Sequence, residues 1–226
     1  RPRPGRVSGC AQTGADPPPP PPAGETGARV HFARLSSAAG VALVRKAGQQ
    51  GAKVSCDVAV HHLHLSEVDI GYFDSHARFD PPLRSGADRA ALREAVGEGL
   101  AAVCSDHSPV DEDGKLLPFA EAVPGATGLE LLLPLTLKLA EEMKIPLVAA
   151  LARVTCDPAA VLGIDAGTLT VGKPADICVF DAHEPWRVLP DALKSQGKNT
   201  PFIGYEMAGR VSATLVGGRL VFARQG

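Results

Sequence analysis

Between Arg29 and Cys104 the chain alternates short β-prone runs with amphipathic helical runs, and this alternation restricts it to a parallel α/β sheet or barrel. Val30-His31-Phe32-Ala33-Arg34-Leu35 is the first β-prone run. Ser36-Ser37 closes it and can cap a helix predicted from Ala38 to Gln50, where Val41, Leu43, Val44 and Ala47 share one face. Gly51 ends that helix, and Lys53 to Val60 reads as a second strand. A long polar connection from Ser66 to Gly86 leads to a second helix, Asp88 to Gly97, and then to a third strand, Leu100 to Cys104.

The flanks read differently. A helix-rich stretch from Gly128 to Leu162 should be broken at Pro134, Pro146 and Pro158, since proline lacks an N–H and clashes with the preceding turn. Beyond it, Thr168-Leu169, Ile177 to Phe180, Ser212 to Val216 and Arg219 to Ala223 are short β runs, with Gly217-Gly218 a good hairpin turn. The first residues contain six consecutive prolines, Pro17 to Pro22, and almost nothing apolar, so they should be disordered or polyproline II. They serve either as a ligand for an SH3-like module or as a plain tail. Three segments follow: a proline-rich segment 1–28, a partial α/β barrel 29–163 and a small all-β unit 164–226. The abrupt change at Ala28–Arg29 leads us to expect a truncated or frame-shifted N-terminus.

Composition narrows the function. A net charge of −2 over 226 residues gives no electrostatic reason to expect nucleic acid or an anionic membrane as partner, and no apolar run approaches the ~20 residues that cross a bilayer. Residues 1–27 have no apolar core with a cleavage site, so no signal peptide is expected. Five scattered cysteines without CxxC pairs suit a reducing compartment, and a cytoplasmic protein is the expectation.

In parallel α/β folds, functional residues collect at the C-terminal ends of the strands. Arg34 ends the first strand, His61-His62-Leu63-His64 the second, and Asp106-His107-Ser108-Pro109 the third. Asp106 and His107 suit metal or acid–base work, although the dipeptide alone favours an Asp that caps a turn with a packed His beside it. The histidine cluster could bind zinc, yet adjacent side chains on an extended strand point to opposite faces, so His61 and His62 could not share one ion there. Asp111-Glu112-Asp113 reads as a solvated turn ending at Gly114.

Several motifs, in order, resemble those of the dihydroorotases in the amidohydrolase superfamily. Val30-His31-Phe32-Ala33-Arg34-Leu35-Ser36 is similar to the sixth-strand motif H-x-x-H-x-S, and His61-His62-Leu63 to P-H-H-L with Val60 replacing proline. Asp80-Pro81-Pro82-Leu83-Arg84 resembles N-P-P-L-R, Ser105-Asp106-His107-Ser108-Pro109 resembles T-D-H-A-P-H, and Pro124-Gly125-Ala126-Thr127-Gly128-Leu129-Glu130 resembles F-G-x-x-G-x-E. Gly167-Thr168-Leu169, Gly172-Lys173-Pro174-Ala175-Asp176 and Asn199-Thr200-Pro201-Phe202 are similar to the closing β-sandwich.

The resemblance implies an incomplete TIM-type (β/α)8 barrel, about strands six to eight, followed by a sandwich piece. In the family the barrel mouth binds one or two Zn2+ ions, whose bound hydroxide attacks a cyclic amide. An eighth-strand aspartate that ligates metal and shuttles the proton maps onto Asp106, and substrate contacts map onto Asp80, Arg84, His107, Pro124 and Gly125. The departures are in the ligands. The first-strand H-x-H ligand pair is absent, no such pair preceding Arg29; the bridging Lys or Asp and the fifth-strand histidine are absent as well, and the sixth-strand ligand histidine is Arg34. Asp80 replaces the substrate-contacting asparagine, and the last histidine of T-D-H-A-P-H is Val110.

Arginine has no lone pair to give a metal, so tight zinc binding is not expected. The pattern is similar to non-catalytic dihydroorotase homologues that partner aspartate carbamoyltransferase, and an oligomeric assembly with that enzyme is the leading expectation. The alternative is an active zinc-dependent dihydroorotase, hydrolysing dihydroorotate reversibly to N-carbamoyl-aspartate, with the missing ligands supplied elsewhere.

Overall fold

The computed structural model describes residues 28–224, so the proline-rich segment lies almost wholly outside the described residues. Three strands, β1 (Val30–Phe32), β2 (Val54–Ala59) and β3 (Ala101–Cys104), form a parallel sheet in the order β1-β2-β3. The register pairs His31 with Ser55 and Asp57 with Ala102. Sheet order that follows chain order is what one arc of a barrel wall requires. Helices α1 (Ala38–Gln49) and α2 (Gly86–Gly97) make the crossovers.

Each crossover helix is capped by a serine. Ser37 accepts the Gly40 N–H, as the sequence predicts, and Ser85 accepts the Asp88 N–H, a cap hidden in the polar connection. Gly40, Val41, Val44 and Ala47 form the buried face of α1, with Leu43 only half-buried. The core gathers Val58, Val60, Leu63, Leu92, Val96, Leu131, Leu135 and Leu139, together with Val188, Leu193 and Phe202 from later in the chain. Residues expected in a separate β unit therefore help to close the α/β core.

Four expectations need correction. The segment after β2 is not extended: Val60–Leu63 is a 3-10 turn, so the opposite-faces argument about His61 and His62 does not apply, and both are buried. Pro134 and Pro158 do not break helices but sit in the first turns of α4 (Leu132–Met143) and α6 (Cys156–Leu162), where the N–H they lack has no helical partner anyway. Pro146 alone marks a boundary, capping α5 (Leu147–Ala152). The acidic run is not a turn: Asp111 stands at the N-cap position of the short helix α3 (Glu112–Leu116) without a side-chain capping bond, and Glu112 and Asp113 are favourably placed at its positive end. Thr168-Leu169 belongs to no strand.

The C-terminal strands β4 (Ile177–Arg187), β5 (Glu206–Val216) and β6 (Arg219–Ala223) form a second, antiparallel sheet. Val216 pairs with Arg219 across Gly217 (φ 55°) and Gly218 (φ 78°). Positive φ at both central positions suits a two-residue hairpin turn and explains the two glycines. Among the described residues no helix is long and apolar enough to cross a membrane.

Candidate functional site

The residue two places beyond the end of β1 and the residue two places beyond the end of β3 both have left-handed backbone: Arg34 (φ 58°) and Asp106 (φ 43°). Non-glycine residues hold this conformation only where their surroundings enforce it, and such positions cluster at functional sites. At Arg34 the enforcement is visible. The Arg34 N–H donates to Asp57 Oδ1 at 2.8 Å, and the Leu35 N–H donates to the Asp57 carbonyl at 2.9 Å. Arg34 Nη1 then reaches across the strand ends, donating to the Asp80 carbonyl at 2.7 Å and approaching Asp106 Oδ1 at 3.4 Å.

Asp57 is the hub that sequence reasoning missed. It lies on β2 with Ser55, on the face opposite the buried Cys56 and Val58. Its Oδ2 lies 2.8 Å from His31 Nε2, and the other ring nitrogen of His31 is 2.9 Å from Ser55 Oγ. The Cys104 thiol also meets Asp57 Oδ1, at 3.2 Å. Burial pushes the Asp57 carboxyl upward, but hydrogen bonds from His31, the Arg34 amide and Cys104 outweigh it, so Asp57 stays ionised below the usual range. The alternation of polar Ser55 and Asp57 with apolar neighbours was the available signal.

Asp106 behaves oppositely. Burial dominates, the Arg34 charge and hydrogen bond oppose it, and Asp57 and Asp80 add like-charge repulsion. The carboxyl ends above its usual range. His107 is fixed by its Nδ1, which accepts the N–H groups of Gly128 at 3.1 Å and Leu129 at 3.3 Å. Nδ1 therefore carries no proton in this arrangement.

Gly125 is buried with φ 124°, and a Cβ there would lie 2.6 Å from Ser108 Cβ, so only glycine fits. Pro124 beside it is exposed, as is Asp80, whereas Arg84 is half-buried near His62 and Asp88. The structure thus brings together Arg34, Asp80 and Asp106. His107 and Gly125 join through the adjoining loop, where Asn199 bonds to both flanks.

The histidine cluster is not convergent. His61 packs its ring against Phe79 and Phe202, His62 Nε2 donates to the Pro81 carbonyl at 3.0 Å, and His64 Nε2 donates to the Leu135 carbonyl at 2.9 Å. Burial pushes His61 down to about 3 and His62 and His64 down to about 4, so all three are neutral.

Among the described residues no three His, Cys, Asp or Glu side chains are placed to hold a metal ion. The donor set does not fit the zinc that the sequence resemblance implies. The guanidinium beside Asp106 offers no lone pair and places a fixed positive charge there, and Asp57 is committed to His31 and to the Arg34 backbone. Cavities of about 660 and 840 Å³ are lined by none of Arg34, Asp57, Asp80 or Asp106.

A parallel arc with its polar cluster at the strand ends, followed by an antiparallel sheet, defines a class, and residues 25–221 match the Amidohydrolase family. The chain belongs to that family. It is 40% identical over 197 residues to a dihydroorotase of Geobacter sp. (strain M21), a match covering 87% of this chain and 46% of the relative. It is 43% identical over 197 residues to a dihydroorotase-like protein of Pseudomonas aeruginosa, covering 87% and 46%. The L-hydantoinase (dihydropyrimidinase) of Arthrobacter aurescens shares the fold, with a TM-score of 0.82 at 28% identity over 88% of this chain and 46% of that one. The described residues are therefore a partial amidohydrolase barrel with a small antiparallel sheet. The chain spans about half the length of these relatives.

Proposed function

We propose that this chain is part of a dihydroorotase-like protein of pyrimidine biosynthesis that does not hydrolyse dihydroorotate and serves as a structural partner of aspartate carbamoyltransferase. One observation carries the reading. The position that resembles a ligand histidine of active dihydroorotases is Arg34, and its guanidinium lies 3.4 Å from Asp106, the carboxylate that would otherwise take metal. A fixed cation at that distance from Oδ1 repels a divalent ion at the same carboxylate.

The barrel arc, the serine caps and the glycine-dependent mouth loop all form around that position, which supports a scaffolding role. Equilibrium dialysis of the full-length protein against zinc, followed by metal analysis, tests the reading. Zinc well below stoichiometry is the expected result. Stoichiometric retention with Arg34 in place would contradict it.

A further inference from the structure

Arg34 does more than displace a ligand. In the sheet, β2 separates β1 from β3, so no backbone ladder joins the two outer strands. The Arg34–Asp106 contact bridges them directly at their C-terminal ends, and the same Nη1 holds the carbonyl of Asp80 on the connection between β2 and α2. Asp106 also carries like-charge repulsion from Asp57 and Asp80. Arg34 brings a fixed cation to this cluster, with its backbone locked by Asp57. The pair is partly shielded, Asp106 being 12% and Arg34 41% exposed at the side chain.

We infer that the Arg34 guanidinium is the resident cation of this mouth, tying the ends of β1 and β3 and the Asp80 turn together without a bound ion. The inference rests on the same reading of Arg34 as the proposed function, but it concerns how the mouth is held and not whether substrate turns over. Arginine suits the task because it is always charged and long enough to reach a carbonyl on one element and a carboxylate on another.

A thermal-melting double-mutant cycle in the full-length protein tests it, with Arg34→Gln, Asp106→Asn and their combination, each measured with chelator and with added zinc. Arg34→Gln should melt several degrees lower, because it leaves clustered carboxylates without their cation. The double variant should melt no lower than the worse single variant, because removing both charges leaves nothing unpaired. Wild type should melt alike with chelator and with zinc. Should Arg34→Gln not fold, Arg34→Lys in the same cycle, with its shorter arm and retained charge, should melt below wild type and show non-additive coupling to Asp106→Asn. Additive losses, a wild-type melt for the Arg34 variant, or a zinc-raised melt of wild type would each overturn the inference. Dihydroorotate turnover with a coupled cycle would refute the proposed function while leaving the clamp intact.

Discussion

Asn199 shows how single side chains hold this mouth. It is 4% exposed; its Nδ2 donates to the carbonyls of Ser108 and Gly125, and its Oδ1 accepts the Val110 N–H and the Thr127 hydroxyl. Asn199→Ala strands buried partners on two loops at once and should cost about 2–4 kcal/mol in urea unfolding; a loss under about 1 kcal/mol would mean the loops are held by other contacts. Buried His61 and His62 and half-buried His64 give a pH signature. Their folded pKa values lie below the ~6.5 of an unfolded histidine. Between those limits the unfolded chain binds more protons, so their stabilisation is complete above pH ~6.5 and is lost as pH falls toward about 4. Each histidine contributes a slope of up to about 1.4 kcal/mol per pH unit. His64→Gln keeps a donor for the Leu135 carbonyl and should flatten the profile by one such increment; an unchanged profile would mean His64 does not titrate on unfolding. The residues visible in the sequence were those whose motif spacing stands out, such as Asp106. Asp57 was not, because a carboxylate inside a strand gains its role only when register brings His31, Arg34 and Cys104 to it.

At the scale of elements, helix starts are set by side chains that the local sequence displays. Ser37→Ala removes the acceptor for the Gly40 N–H and should destabilise by about 1 kcal/mol, read as a lower denaturant midpoint with unchanged slope. An equal loss at exposed Ala39 would show that the cap is not responsible. The existence and order of β1, α1, β2, α2 and β3 followed from periodicity, and the Gly217-Gly218 hairpin from its turn residues. The errors also have physical causes. Proline was expected to break α4 and α6, yet in a first turn it removes no hydrogen bond. Strands β4 and β5 are longer than the apolar runs within them because most of their side chains stay exposed or half-buried, which blunts the alternating pattern.

At the scale of the molecule, β1 and β3 present unpaired edges among the described residues, and Val179, Val216, Leu220 and Val221 stay exposed on the antiparallel sheet. Unpaired edges and apolar surface recruit further chain. A polypeptide limited to 28–224 should therefore self-associate in light scattering, and a stable monomer would argue that these surfaces need no cover. The family and the partial barrel rest on the fold and on the match over residues 25–221. The central claim, a dihydroorotase-like protein that has exchanged its metal chemistry for a fixed cation at Arg34, is tested most directly by one assay. Dihydroorotate hydrolysis is measured with the zinc-supplemented full-length protein, alone and mixed with aspartate carbamoyltransferase. The account predicts no turnover above the uncatalysed rate in either case, and zinc-dependent turnover that chelator abolishes would contradict it.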